Sequence, residues 1–262
     1  MSYITTKDGV KLYVKDWGQD RPVIMAHGWP LSADSFDDLS MAIADAGMRA
    51  ISYDRRGFGR SDQPWSGYVY DTLADDLAAL IEKTSSKDAT LLGFSMGGGE
   101  VARYLTYHGD EHVAQAILVS SVVPYMLKTG DNPDGVEQSV FDEMASQIKA
   151  DRALFWIGFF NDFFGVGLLS HPVSTEVIEW ARAVSMQAGI KPTLACAHAF
   201  SSTDFRGDLT AFTMPTLIIH GSADKTVPID ISGRKAADGI PQATFIEYDG
   251  APHGSLPATR TE

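Results

Sequence analysis

The chain has 262 residues and carries 34 Asp and Glu against 21 Lys and Arg, a formal charge of −13. A surplus of that sign offers no basic stripe to phosphate and no attraction to an anionic bilayer, so nucleic acid and membrane surfaces are not expected as partners. With 44% hydrophobic residues and a single cysteine, there is apolar material for a core but no internal disulfide and no multi-cysteine zinc site.

Met1 to Asp8 lack the basic-then-apolar run of a secretory signal, and no window is long and apolar enough to span a bilayer. A cytoplasmic protein is therefore expected. The first strand is read at Val10–Val14, where apolar and polar residues alternate. Pro22–Ala26 is a continuous apolar run, as a strand buried on both faces would be, and ends at His27-Gly28-Trp29-Pro30. Phe36, Leu39, Ile43 and Ala46 recur at helical spacing up to Gly47. Arg49–Tyr53 is the next strand and runs into Asp54–Ser61. Leu73, Leu77, Leu80 and Ile81 mark a helix. Thr90–Gly93 is a strand, followed at once by Phe94-Ser95-Met96-Gly97 and a helix through Val101, Ala102 and Leu105. Val113–Val119 is another strand. Strands alternating with helices imply an α/β fold, a mostly parallel sheet with helices on both faces.

The alternation stops near Tyr125. To about Asp208 the chain is helical in tendency and dense in aromatics: Phe155, Trp156, Phe159, Phe160, Phe163 and Phe164. Strands return at Pro215–His220 and Thr244–Tyr248. The expected organisation is a core in two parts, residues 1–124 and 209–262, with a helical cap inserted at 125–208.

Gly93-Phe94-Ser95-Met96-Gly97 is G-x-S-x-G between a strand and a helix. That context presents Ser95 on a strained turn, with glycines where strand and helix approach closely. A serine hydroxyl needs a base, and a base needs an acid to fix its tautomer. Of seven histidines, His253 lies in a Gly/Pro turn after the last strand, the right sheet edge. His220 closes a strand near that edge and is read as bracing a turn. Asp224, after the preceding strand, is the expected acid, and Asp249 is its rival from the His253 loop. The oxyanion donors are expected to be the amides of Met96, which follows the nucleophile, and Trp29. The pocket should be apolar and roofed by the aromatic run, with about two of its six rings facing the ligand. Expected substrate contacts are Phe94, Pro30, Trp156, Phe159, Phe160 and Val227. Asp54, Arg55 and Arg56 are read as a scaffold, bracing one another in a network behind the site, and Cys196 as a buried apolar residue.

Several longer stretches resemble one family. They are His27–Asp34, Asp54–Trp65, Gly93–Tyr104, Ala199–Phe205 and His220–Pro228, within a similarity running from Thr5 to His253. The chain resembles the cofactor-free haloperoxidase/arylesterase (perhydrolase) group of the α/β-hydrolase superfamily, and its nucleophile–acid–histidine order, Ser95, Asp224, His253, is that of those hydrolases. The resemblance implies a serine esterase for short-chain or aryl esters, needing no metal and no cofactor. It also implies that peroxide can replace water in deacylation, giving a peracid that oxidises halide. An amidase or lactamase with the same triad is the alternative for a small-molecule substrate; a non-catalytic ligand receptor is the alternative of another class. Relatives of this kind also suggest a homo-oligomer. Similar proteins continue past the histidine into a helix that packs on the sheet. Here Ser255–Glu262, with Pro257, is not expected to form one.

Overall fold

The computed structural model describes residues 3–167 and 170–254. Eight strands form one sheet: β1 (Tyr3–Thr5), β2 (Lys11–Gly18), β3 (Pro22–Ala26), β4 (Arg49–Tyr53), β5 (Ala89–Phe94), β6 (Val113–Val119), β7 (Thr216–Gly221) and β8 (Ala243–Tyr248). Among the described residues seven α-helices accompany them: α1 (Asp37–Asp45), α2 (Tyr70–Lys83), α3 (Met96–His108), α4 (Gln138–Phe163), α5 (Thr175–Gln187), α6 (Ile190–Ser202) and α7 (Gly233–Gly239). The three-residue edge strand β1 carries too short a pattern to read from sequence, and β2 runs four residues beyond the alternation that announces it. The expectation about Ser255–Glu262 lies outside the described residues.

The strand order is β1-β2-β4-β3-β5-β6-β7-β8. The first two pairings, β1 with β2 and β2 with β4, are antiparallel, and the others are parallel. From β3 the chain steps one way to β4, then crosses back over β3 to β5 and continues outward. A crossover between parallel strands is right-handed, so reversing the step puts α1 on one face and α2 and α3 on the other. That is why β3 and β5 are buried along their whole length, and why β3 reads as an unbroken apolar run.

The reversal also makes a crevice. Loops after β3 and β5 leave the sheet side by side in opposite senses, and ligands of open α/β sheets bind at such a point. Register aligns the strand ends there: Ala26 pairs with Gly93 and with Tyr53, Phe94 with Val119, and Gly221 with Tyr248. The loops holding Trp29, Ser95, Asp224 and His253 therefore open on one edge.

Between β6 and β7 the chain forms α4, α5 and α6, with no strand among the described residues there. α4 is two helices. Asp151 has φ −155° and ψ 92°, outside helical geometry, and its Oδ1 accepts the Leu154 N–H at 2.9 Å as an N-cap. Among the described residues no helix is long and apolar enough to cross a membrane.

Candidate active site

Ser95 joins β5 to α3 with φ 55° and ψ −118°, a conformation that L-residues other than glycine rarely hold. The neighbours explain how it is tolerated. A Cβ on Gly97 would lie 2.1 Å from the Ala26 carbonyl oxygen, and one on Gly93 would lie 2.5 Å from the Gly98 Cα. Only glycines let strand and helix close so tightly. The Ser95 N–H is tied to the Val119 carbonyl at 2.9 Å, so the turn is held from the next strand.

His253 Nε2 stands 3.0 Å from Ser95 Oγ, and its Nδ1 stands 2.7 Å from Asp224 Oδ2. A carboxylate can only accept, so Nδ1 carries the proton and Nε2 is left free to accept from the serine hydroxyl. The ring is buried between Phe94 and Phe163, with centroid separations of 5.2 and 4.9 Å. Phe163 ends α4, and its carbonyl accepts the Gly254 N–H at 2.8 Å. The helical segment thus grips the histidine loop as well as covering it.

Asp224 Oδ1 accepts the N–H groups of Thr226 at 2.9 Å and Val227 at 2.8 Å. Burial alone would raise this carboxyl. The His253 imidazole and the contacts with His220 and His253 outweigh that effect and hold it well below the usual aspartate range. Asp249 instead accepts from the Ser222 hydroxyl at 3.1 Å and lies exposed on the rim of its loop.

The loop after β3 brings Trp29 to the same point. A Cβ on Gly28 would sit 2.8 Å from the Phe94 ring and 3.0 Å from the Ser95 Cβ, so this loop lies directly on the serine turn. His27 Nε2 accepts the Arg55 N–H at 3.0 Å, which leaves the proton on Nδ1, 2.9 Å from the Gly28 carbonyl. That carbonyl also accepts the Leu31 N–H at 2.9 Å. With the Gly28 oxygen held by two donors, the trans N–H of Trp29 points away from that oxygen. Neither the Trp29 nor the Met96 N–H has an acceptor among the described residues. Both belong to segments that meet at the serine turn, at the N-terminus of α3, where negative charge is favoured. The Trp29–Pro30 peptide is cis.

Arg55, Arg56 and Asp54 do not brace one another. Arg55 is wholly buried, donates to the His27 carbonyl and is ion-paired with Glu100, also wholly buried on α3. Tyr53 donates to the other Glu100 oxygen at 2.5 Å. Arg56 binds Asp76 at 2.6 Å and Asp8 at 2.8 Å. Asp54 takes the Ala33 N–H at 2.9 Å and the Arg60 side chain at 2.8 Å. Burial pushes the Cys196 thiol up to about 12, beside these charges.

A cavity of about 390 Å³ opens over Ser95. Its wall takes Trp29, Phe155, Phe159, Phe200, Met126 and Val227, with Lys225 and Asp162 at 3.9 Å from each other among its lining. Trp156 and Phe160 do not line it. In α4 the residues 155, 158, 159 and 162 share one helical stripe facing the cavity, and 156, 160 and 163 share the next stripe, buried in the core. Trp156 packs behind Trp29 at 5.2 Å. Phe94 lies behind His253, and Pro30 is buried in its loop, both off the cavity wall. One residue close to the site was given no role from sequence, Glu100, and His220 was read only as bracing a turn. A charged residue four places into a buried helix was the available signal for the first. Among the described residues no group of three or more His, Cys, Asp or Glu side chains is arranged to hold a metal ion.

Comparison with known proteins agrees with this architecture. Residues 21–257 match the family described as alpha/beta hydrolase fold. The chain is 43% identical to a non-haem chloroperoxidase of Kitasatospora aureofaciens over 97% of this chain and 92% of that protein. It is 43% identical to a bifunctional esterase/perhydrolase of Acinetobacter calcoaceticus, covering 100% and 96% of the two chains. The crystal structure of bromoperoxidase from Bacillus anthracis superposes with a TM-score of 0.94 at 40% identity, over 98% of this chain and 95% of that one. The chain belongs to the α/β-hydrolase fold family, in the group of non-haem haloperoxidases and perhydrolase esterases, and is a hydrolase.

Proposed function

We propose that the protein is a serine esterase that works through an acyl-enzyme and accepts either water or hydrogen peroxide in the second half-reaction. The observation that carries this reading is the unbroken relay from Ser95 Oγ through His253 to Asp224. Ser95 Oγ attacks the ester carbonyl while His253 Nε2 takes its proton. The Trp29 and Met96 amides stabilise the oxyanion, and Asp224 stabilises the imidazolium through Nδ1–H. His253 then returns the proton to the leaving alcohol.

Deacylation repeats these steps with a different nucleophile. Water gives the carboxylic acid. Peroxide gives up its proton to His253, its oxygen attacks the acyl carbon, and Ser95 leaves with that proton, releasing a peracid. The peracid oxidises bromide in solution to hypobromous acid and is itself reduced to the carboxylic acid. The names of the relatives, chloroperoxidase and esterase/perhydrolase, support this second outlet. In this reading residues 125–208 are the cap of the pocket.

The test is the rate of p-nitrophenyl acetate cleavage by the parent and by Ser95→Ala, with and without peroxide and bromide. Both cleavage and bromination should vanish together in Ser95→Ala. Bromination that survives the loss of esterase activity would overturn the peracid route, and cleavage that survives would overturn the serine mechanism.

A further inference from the structure

Asp224 lies between two imidazoles, and the relay uses only one. We propose that His220 is a positioning residue for the acid: it clamps the Asp224 turn and tempers the pull of the carboxylate on His253. This rests on the serine-hydrolase reading of the same site.

The strand end explains how the ring gets there. His220 is the fifth residue of β7, and strand alternation turns it to the face covered by α7, where it is 1% exposed. α7 opens with Gly233, and a Cβ there would lie 2.7 Å from His220 Nδ1. The ring thus lies flush against the helix. His220 Nε2 is 2.9 Å from the Val227 carbonyl and 3.2 Å from Asp224 Oδ2. A carbonyl can only accept, so Nε2 bears the proton and directs it between these two oxygens. Nδ1 is then a buried nitrogen with no partner among the described residues. An apolar side chain would fill this space without leaving a polar atom unpaired. What Nε2 does on the other side of the ring accounts for the imidazole.

It does two things. Val227 gives its N–H to Asp224 Oδ1 at 2.8 Å and its carbonyl to His220, so one ring fixes the turn that fixes the acid. The His220 Nε2–H, 3.2 Å away, also competes with His253, at 2.7 Å, for Oδ2. A donor on a carboxylate weakens its hold on a second donor. The other charged groups nearby are directed elsewhere. Lys225 reaches Asp162 of α4, Arg234 of α7 pairs with Glu247 and Asp230, and Lys235 pairs with Asp134.

The variants His220→Leu, His220→Gln and Gly233→Ala test this, read by kcat and kcat/KM for p-nitrophenyl acetate against pH. A second readout needs no turnover: the pH titration of the downfield proton resonance of the His253–Asp224 hydrogen bond. In His220→Leu, kcat should fall about ten-fold. The acid limb and the resonance midpoint should both move up by roughly half a pH unit. Gly233→Ala reaches Asp224 only through the ring, and should shift both in the same direction by less. His220→Gln keeps an N–H within reach of both oxygens and should return kcat to within about three-fold of the parent. A midpoint that stays put in Gly233→Ala and in the His220 variants overturns the proposal, whatever happens to kcat. A midpoint that moves in a chain with no esterase activity upholds the clamp and overturns the esterase reading instead.

Discussion

At the scale of single residues, the site is built from close approaches that tolerate no added atom. A Cβ on Gly97 would meet the backbone oxygen of Ala26 at 2.1 Å, and a backbone cannot step aside as a side-chain tip can. Gly97→Ala is expected to cost more than about 2 kcal/mol, measured by urea unfolding. Asp8 gives a pH test. Its hydrogen bond from Arg56 holds its carboxyl down to about 2. A carboxyl lowered in the folded state contributes stability that is fully present above the unfolded value, about 3.9, and is lost as pH falls through the folded value. The stability difference between parent and Asp8→Asn should therefore be constant above about pH 5 and shrink between about pH 4 and 2. Ser95, Asp224 and His253 were legible as residues because each follows a strand and sits in a turn of distinctive composition. Glu100 was not, and His220 was legible only as a turn brace, because their contacts with Arg55 and Asp224 depend on which loops the strand order brings together.

Elements show where periodicity stops short. The aromatic run in α4 reads as one apolar block, and only the phase of the helix separates Phe155 and Phe159, on the cavity, from Trp156 and Phe160, in the core. The break at Asp151 sets that phase. The segment before it lines the cavity with Val140, Phe141 and Met144, and the segment after it with Phe155 and Phe159. Asp151→Ala removes the cap on Leu154 N–H and should cost about 1 kcal/mol of stability. It also lets the two segments drift toward one straight helix. KM for apolar esters should then rise several-fold while kcat for p-nitrophenyl acetate changes less, a split read directly from steady-state kinetics. The short strand β1 left no periodic signal in sequence, whereas β3 was plain because burial on both faces makes a strand continuously apolar.

Over the whole molecule, the reversal of strand order at β3 and β5 is what assembles the site, and one buried ion pair ties its parts together. Glu100 belongs to the helix behind Ser95, Arg55 follows β4, and Arg55 holds the His27 carbonyl at the end of β3. Burial raises the Glu100 carboxyl and the ion pair with Arg55 opposes that rise. Glu100→Gln leaves a buried guanidinium without its counter-charge and should destabilise the fold by about 3–5 kcal/mol, read by chemical denaturation. The α/β alternation and the sheet's parallel character could be read from sequence; the coupling through Arg55 could not, since its two partners, His27 and Glu100, lie on separate segments. The acyl-enzyme is the claim on which the functional account depends. It is tested most directly by rapid quenching of the parent with p-nitrophenyl acetate, followed by intact mass and peptide mapping. The account predicts one acetyl group per chain, on the peptide containing Ser95 and absent from Ser95→Ala. Ester turnover with no acetyl on Ser95, or with the acetyl on another residue, would contradict it.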